Sequence, residues 1–95
     1  MKAVLYRPEA DEDLEDIWRY TLAQWDLDQA LKYDADVMRR IAGLAAGTTS
    51  SRTAEELGPG MRRALAGQHV VFFREDDAAV TVVRVLHQRM DVGRV

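Results

Sequence analysis

The chain has no cysteine among its 95 residues. That excludes disulfides, thiolate metal sites and a cysteine nucleophile. A small chain without such staples fits a reducing cytoplasm. It also lacks any apolar stretch approaching the ~20 residues of a membrane helix. At the N-terminus, Lys2 precedes only a short Ala3-Val4-Leu5-Tyr6 run that stops at Arg7-Pro8, which is not the pattern of a secretion signal. Positive charge is in short supply as well: 13 Lys and Arg face 16 Asp and Glu, for a net charge of -3. A protein that grips nucleic acid through phosphates needs a clear basic excess, so direct specific nucleic-acid binding is not expected. With two histidines and no His/Asp ligand spacing, neither a metal site nor a cofactor is expected.

What is present is unevenly spread. Residues 1–50 hold six Lys or Arg against ten Asp or Glu, whereas residues 51–95 hold seven Arg against six Asp or Glu. The length predicts a single domain over residues 1–95. A domain of this size buries only roughly two-thirds of its unfolded surface, so a partner that covers apolar surface would stabilise it.

Lys2 to Arg7 reads as a short strand with Val4 and Tyr6 on one face, ended by Pro8. Ala10, Leu14, Ile17, Trp18, Leu22 and Trp25 then recur at helical spacing behind an acid-rich start, Glu9 to Asp16. This acidic run reads as a solvated helix face favoured by the dipole. Asp26-Leu27-Asp28 breaks the helix and offers caps for a second one, striped by Ala30, Tyr33, Val37, Ile41 and Leu44 and closed near Gly47. A break this short predicts an antiparallel helical hairpin. Gly47 to Gly60 reads as a polar connection. Met61 to Ala66, His69 to Arg74 and Ala79 to Leu86 read as strands, the first two joined by a Gly67-Gln68 turn. The expectation is an α+β domain of order β-α-α-β-β-β. A three-stranded antiparallel meander takes the N-terminal strand beside it, and the hairpin covers one face.

The same order carries a family likeness. Pro8-Glu9-Ala10, Asp13-Leu14, Asp16-Ile17-Trp18 and Tyr20 in the first helix resemble the ParE/RelE superfamily of toxins. So do Leu57, Pro59-Gly60-Met61-Arg62, Gly67 with His69 to Arg74, and Arg84-Val85-Leu86-His87-Gln88-Arg89-Met90-Asp91. The last run looks like the signature of the ParE branch. The Gly47 to Ser51 segment departs from the pattern, because it lacks a proline-bearing stretch seen in many relatives. The resemblance implies a toxin of a type II toxin–antitoxin module, silenced by a ParD-like antitoxin in a hetero-oligomer. Its expected action is to trap DNA gyrase and block replication. The RelE branch shares the fold but cleaves mRNA on the ribosome, and a non-toxic member that only binds its antitoxin is a third possibility.

An RNase of this kind needs a general base, a general acid and cationic charge for the phosphorane. Here His87, Arg62 and Arg84 would supply the imidazole and the cations. Gln88 follows His87, where the resemblance calls for a proton-exchanging tyrosine. A non-enzymatic poison is therefore the expectation, with His87, Gln88, Arg89 and Met90 as candidates for target contact. Arg62, Arg63, Arg74 and Arg84 are candidates for gripping an acidic antitoxin segment through bidentate pairing. Trp25, at a helix end, either completes the core or lies where the antitoxin docks. Trp18 is expected in the core, and His69 reads as a packing or turn residue.

Overall fold

Pro8 serves two elements. It stops strand β1 (Ala3–Tyr6) and opens helix α1 (Pro8–Gln24) at its first position, where the missing backbone donor is not needed. The structure is a computed structural model that describes residues 2–90. Asp26 caps helix α2 (Leu27–Ala46), its carboxylate accepting the Gln29 N–H at 2.8 Å. A cap of this type contributes about 1 kcal/mol. Gly47 ends α2 in the left-handed region at φ 79° and turns its N–H back onto the Gly43 and Leu44 carbonyls.

The polar connection that follows holds more structure than its composition suggests. Arg52–Thr53 form a two-residue strand, β2, and Glu55–Leu57 make one 3-10 turn. Two residues are too few to show an alternating pattern; β2 exists because β3 (Arg62–Ala66) offers it a register, Arg52 to Arg63 and Thr53 to Arg62. Met61, expected as the first residue of β3, lies just before it and is buried with Ala54, Phe72 and Leu86. Strands β4 (His69–Glu75) and β5 (Ala79–His87) complete the expected meander. The sheet has five strands in the order β1-β5-β4-β3-β2, antiparallel throughout except that β1 lies parallel to β5.

The helical hairpin covers one face of this sheet. Ile41, Val71, Phe73, Val80, Val82 and Val85 form the centre of that core, each no more than 2% exposed. The opposite face carries a smaller cluster of Ala54, Met61, Phe72 and Leu86, with Leu57 from the 3-10 turn against it. β4 is therefore covered on both sides, which accounts for its nearly unbroken apolar sequence.

Helix α1 packs through Ala10, Leu14, Ile17 and Thr21. Trp18 is one position round from that line; it is half-buried and outside the core, contrary to expectation. Leu22, also expected on the stripe, is 41% exposed. Ala10, Leu14 and Ile17 are the α1 residues that reach the helix-side core, and small Ala10 lets the helix approach the sheet closely.

The acidic face of α1 is not uniformly solvated either. A bulge opposite Phe72 and Phe73 pairs them with Arg84 and Val82, so Val83 is the extra residue. The last β1 partner of β5 is Val82, so the β5 edge beyond it lacks a strand neighbour among the described residues. Asp13 fills that gap. Its carboxylate accepts the Val85 N–H at 2.9 Å and both arms of the Arg84 guanidinium, Nε at 2.7 Å and Nη2 at 2.9 Å. The Asp13 side chain is only 12% exposed. This hydrogen bonding raises the Arg84 pKa above its ordinary value.

Asp13→Ala removes all three acceptor contacts at a mostly buried position. It should lower the unfolding free energy by about 2–4 kcal/mol, read as a lower urea midpoint at unchanged slope. Arg84→Ala leaves Asp13 paired with Val85 and should cost about 1 kcal/mol. Small and equal losses for the two variants would show that Asp13 does not tie α1 to the sheet.

Candidate functional site

The β3–β4 turn is held from both sides. Gly67 adopts φ 61°, and a side chain there would meet the Tyr33 ring at 2.7 Å, so both conformation and space call for glycine. The Tyr33 hydroxyl accepts the Gln68 N–H at 3.0 Å and lies 2.5 Å from His69 Nδ1. The same hydroxyl lies 3.4 Å from the Ala66 carbonyl, so Tyr33 joins the turn, β3 and His69 in one hydrogen-bonded set. On the other side, Gln88 N–H donates to the Gln68 carbonyl and the Gln88 side chain donates to the Gly67 carbonyl.

These contacts create a row of rings. Trp25 meets Tyr33 edge-on at 5.5 Å between centroids, Tyr33 meets His69 at 5.6 Å, and His69 meets His87 edge-on at 5.3 Å. The row runs from the tip of the helical hairpin to the end of β5. His69 is buried, as a packing and turn residue should be, and burial together with the nearby His87 pushes its pKa below 6.5. Burial raises the pKa of Tyr33, while the hydrogen bond from Gln68 acts in the opposite direction. His87 accepts the Arg89 N–H on Nδ1, which positions the 3-10 turn Gln88–Met90.

An open groove of about 560 Å³ begins at this end of the sheet. His87 and Gln88 form one rim, and Ser50, Ser51 and Arg52 form the other. Leu65, Val70 and Phe72 make an apolar floor, and Arg40 and Arg63 stand beside it. Arg40 donates its Nε to the Leu65 carbonyl at 3.0 Å. Arg63 lies over the Phe72 ring, 5.4 Å from its centroid, and pairs with Glu56.

The residues singled out from sequence do not gather in one place. Of the proposed RNase set, His87 lines this groove and neither Arg62 nor Arg84 does. Arg62 donates to the Ser51 hydroxyl, and Arg84 is committed to Asp13. The four arginines considered for antitoxin contact are also divided. Arg63 lines the first groove, while Arg74 and Arg84 line a second one with Arg7, Glu9, Glu75 and Asp76. Arg74 donates to the Pro59 carbonyl. Trp25 is 36% exposed at the end of α1, partly covered by Tyr33. His87, Gln88 and Arg89 are adjacent and accessible; residues 91–95 of the proposed target-binding tail lie outside the described residues. Sequence reasoning missed Arg40 and Arg52, one on a helix and the other in an apparent loop. Among the described residues, no three His, Asp or Glu side chains are placed to share a metal ion, and no helix is long and apolar enough to cross a membrane.

This architecture, a helical hairpin on a five-stranded mixed sheet, is shared by solved toxin structures. A chain of the chromosomal ParDE toxin–antitoxin system from P. aeruginosa superposes with a TM-score of 0.75 at 21% identity, over 92% of this chain and 96% of that one. A chain of the E. coli DinJ–YafQ toxin–antitoxin complex gives 0.65 at 13% identity, over 96% and 97%. Sequence relatives are nearer. Toxin ParE1 of Mycobacterium tuberculosis is 42% identical over 91 residues, 95% of this chain and 93% of the relative. Toxin ParE of Escherichia coli is 39% identical over 94 residues, 97% and 90% of the two chains. The model of the family described as the ParE toxin of the type II toxin–antitoxin system, parDE, matches residues 4–92. The chain belongs to that family.

The His69 environment carries a pH consequence. Its folded-state pKa lies below that of the unfolded chain, so unfolding takes up a proton in the acidic range. The contribution of neutral His69 is present above about pH 6.5 and is lost as pH falls through the lower folded value. Thermal melts of the native chain should show a midpoint that drops as the pH falls below about 6.5. His69→Phe should flatten that part of the profile. An unchanged slope in the variant would assign the drop to other groups.

Proposed function

We propose that this chain is a gyrase-directed toxin that acts by binding rather than by catalysis and is silenced by a ParD-like antitoxin. Membership of the ParE family carries the reading. The groove chemistry supports it. Gln88, which cannot exchange a proton at neutral pH, occupies the place beside His87, and the cations Arg62 and Arg84 are engaged elsewhere. The exposed Gln88 and Arg89, held in place through His87 and the β3–β4 turn, are the proposed start of the target-binding surface.

One observation favours a second reading. His87 shares its groove with Arg40, Arg52 and Arg63, so one imidazole and three guanidinium groups surround a common space. That arrangement suits a phosphodiester better than the set chosen from sequence. On this reading, ribosome-bound mRNA is cleaved by the native chain and spared by His87→Ala.

The deciding assay mixes antitoxin-free protein with gyrase, supercoiled plasmid and ATP, then denatures the enzyme. Dose-dependent linear DNA, suppressed by the antitoxin, is the expected result. A chain truncated after Gln88 should give none while still binding the antitoxin. Full activity of the truncated chain would move target contact away from Arg89 and Met90, and no linear DNA from folded native protein would overturn the gyrase reading.

A further inference from the structure

We infer that Tyr33 is a positioning residue for the contact made by Gln88–Met90: its hydroxyl fixes one peptide of the β3–β4 turn, and that peptide fixes Gln88. At this end of the sheet the pairing of β4 with β5 stops at His69 and His87, one residue short of the 3-10 turn. Beyond that point the hydrogen bonds of Gln88 run to two carbonyls of a single turn. Its N–H donates to the Gln68 carbonyl at 3.0 Å and its side-chain amide to the Gly67 carbonyl at 3.2 Å. Arg89 follows, its N–H donating to His87 two residues back. The place of Gln88 and Arg89 is therefore decided by the turn.

A two-residue hairpin turn has two common forms. Gly67 has a positive φ of 61°, whereas Gln68 does not. That is the φ pattern of a type II′ turn; in type I′ both central residues have positive φ. The two forms differ by a half-rotation of the peptide between Gly67 and Gln68, which exchanges the directions of its N–H and C=O. Because a peptide is planar, the Gln68 N–H and the Gly67 carbonyl move as one body. Tyr33 accepts the N–H at 3.0 Å, and Gln88 donates to the carbonyl. A hydroxyl from α2 and an amide beyond β5 thus grip opposite ends of one rigid group. Loss of the first grip frees the peptide to turn its carbonyl away from the second.

The hydroxyl is itself held in place, 2.5 Å from His69 Nδ1 and 3.4 Å from the Ala66 carbonyl. The ring packs on Gly67 and meets Trp25. Phenylalanine at this position keeps those ring contacts and removes the hydroxyl alone. Gln68 is exposed, so water takes up its N–H in the variant. The loss at the turn then falls on the direction of the peptide. The target in this inference rests on the reading of the preceding subsection, whereas the anchoring of Gln88 does not.

Hydrogen exchange followed by NMR on the full chain tests the anchoring. In Tyr33→Phe the Gln88 and Arg89 amides should exchange faster by about tenfold or more, beyond any change at the amides of the buried strand residues Val71 and Val82. Equal acceleration at all four, or none at residues 88 and 89, overturns the inference. The gyrase assay tests the consequence. Tyr33→Phe should raise the dose that gives half the linear DNA by about fivefold or more. Tyr20→Phe, which removes an exposed hydroxyl from α1, should leave that dose unchanged. Gln88→Ala should raise it as well, and the double variant should be no weaker than Gln88→Ala alone, since Tyr33 acts through Gln88. Additive losses, or a native dose for Tyr33→Phe, overturn its role in target contact. If the native chain yields no linear DNA, the gyrase reading fails and the exchange experiment alone decides whether Tyr33 anchors Gln88.

Discussion

The contact of Asp13 with Arg84 and Val85 is the constraint on which the layer arrangement depends. One carboxylate satisfies a backbone donor on the β5 edge past its pairing with β1, and it neutralises the guanidinium beside it. It also fixes the position of α1 along the sheet, because Asp13 lies on the same helix as the packing line Ala10, Leu14, Ile17 and Thr21. Without it, the Val85 N–H, past the end of the β1 pairing, would lose its acceptor next to a charge at the edge of the core. The bulge in turn lets Val82 and Val85 both enter the helix-side core, which strict alternation forbids.

A second set of contacts holds the opposite end of the sheet. Tyr33 reaches from α2 to the β3–β4 turn, the turn holds Gln88, and His69 and His87 stack between them. The segment leading to residues 88–90 is therefore positioned by the helical hairpin as well as by β5. The two ends differ in physical character. The Asp13 end is a carboxylate–guanidinium pair, whereas the Tyr33 end is a row of aromatic and imidazole rings.

Much of this was legible in the sequence, and the gaps have physical causes. Periodicity disclosed both helices, and turn chemistry at Asp26, Gly47 and Gly67 located their ends and the hairpin. The β-branched runs disclosed β4 and β5. β2 was not legible, since a two-residue strand has no period and is defined by its partner. Trp18 was misplaced because hydrophobicity is a property of the residue, while burial belongs to the helix face the sheet selects. The role of Asp13 was hidden in a run of carboxylates that look alike until the fold brings one of them against β5. The arginines divided because each meets a different partner, Asp13 on α1 for Arg84 and Glu56, Ser51 and Pro59 in the connection before β3 for Arg63, Arg62 and Arg74.

The parallel pairing of β1 with β5 has a consequence in time. Ala3 lies beside Ala79, and Asp13 meets Arg84 across 71 residues of chain. Neither closure can occur until the ribosome has released most of the polypeptide, and contacts so remote in sequence form slowly because the loop between them must first be ordered. Until then the apolar positions of the α1 and α2 segments have no completed sheet to cover them. A nascent chain interrupted before Ala79 has no means of completing the sheet, and so is exposed to proteolysis.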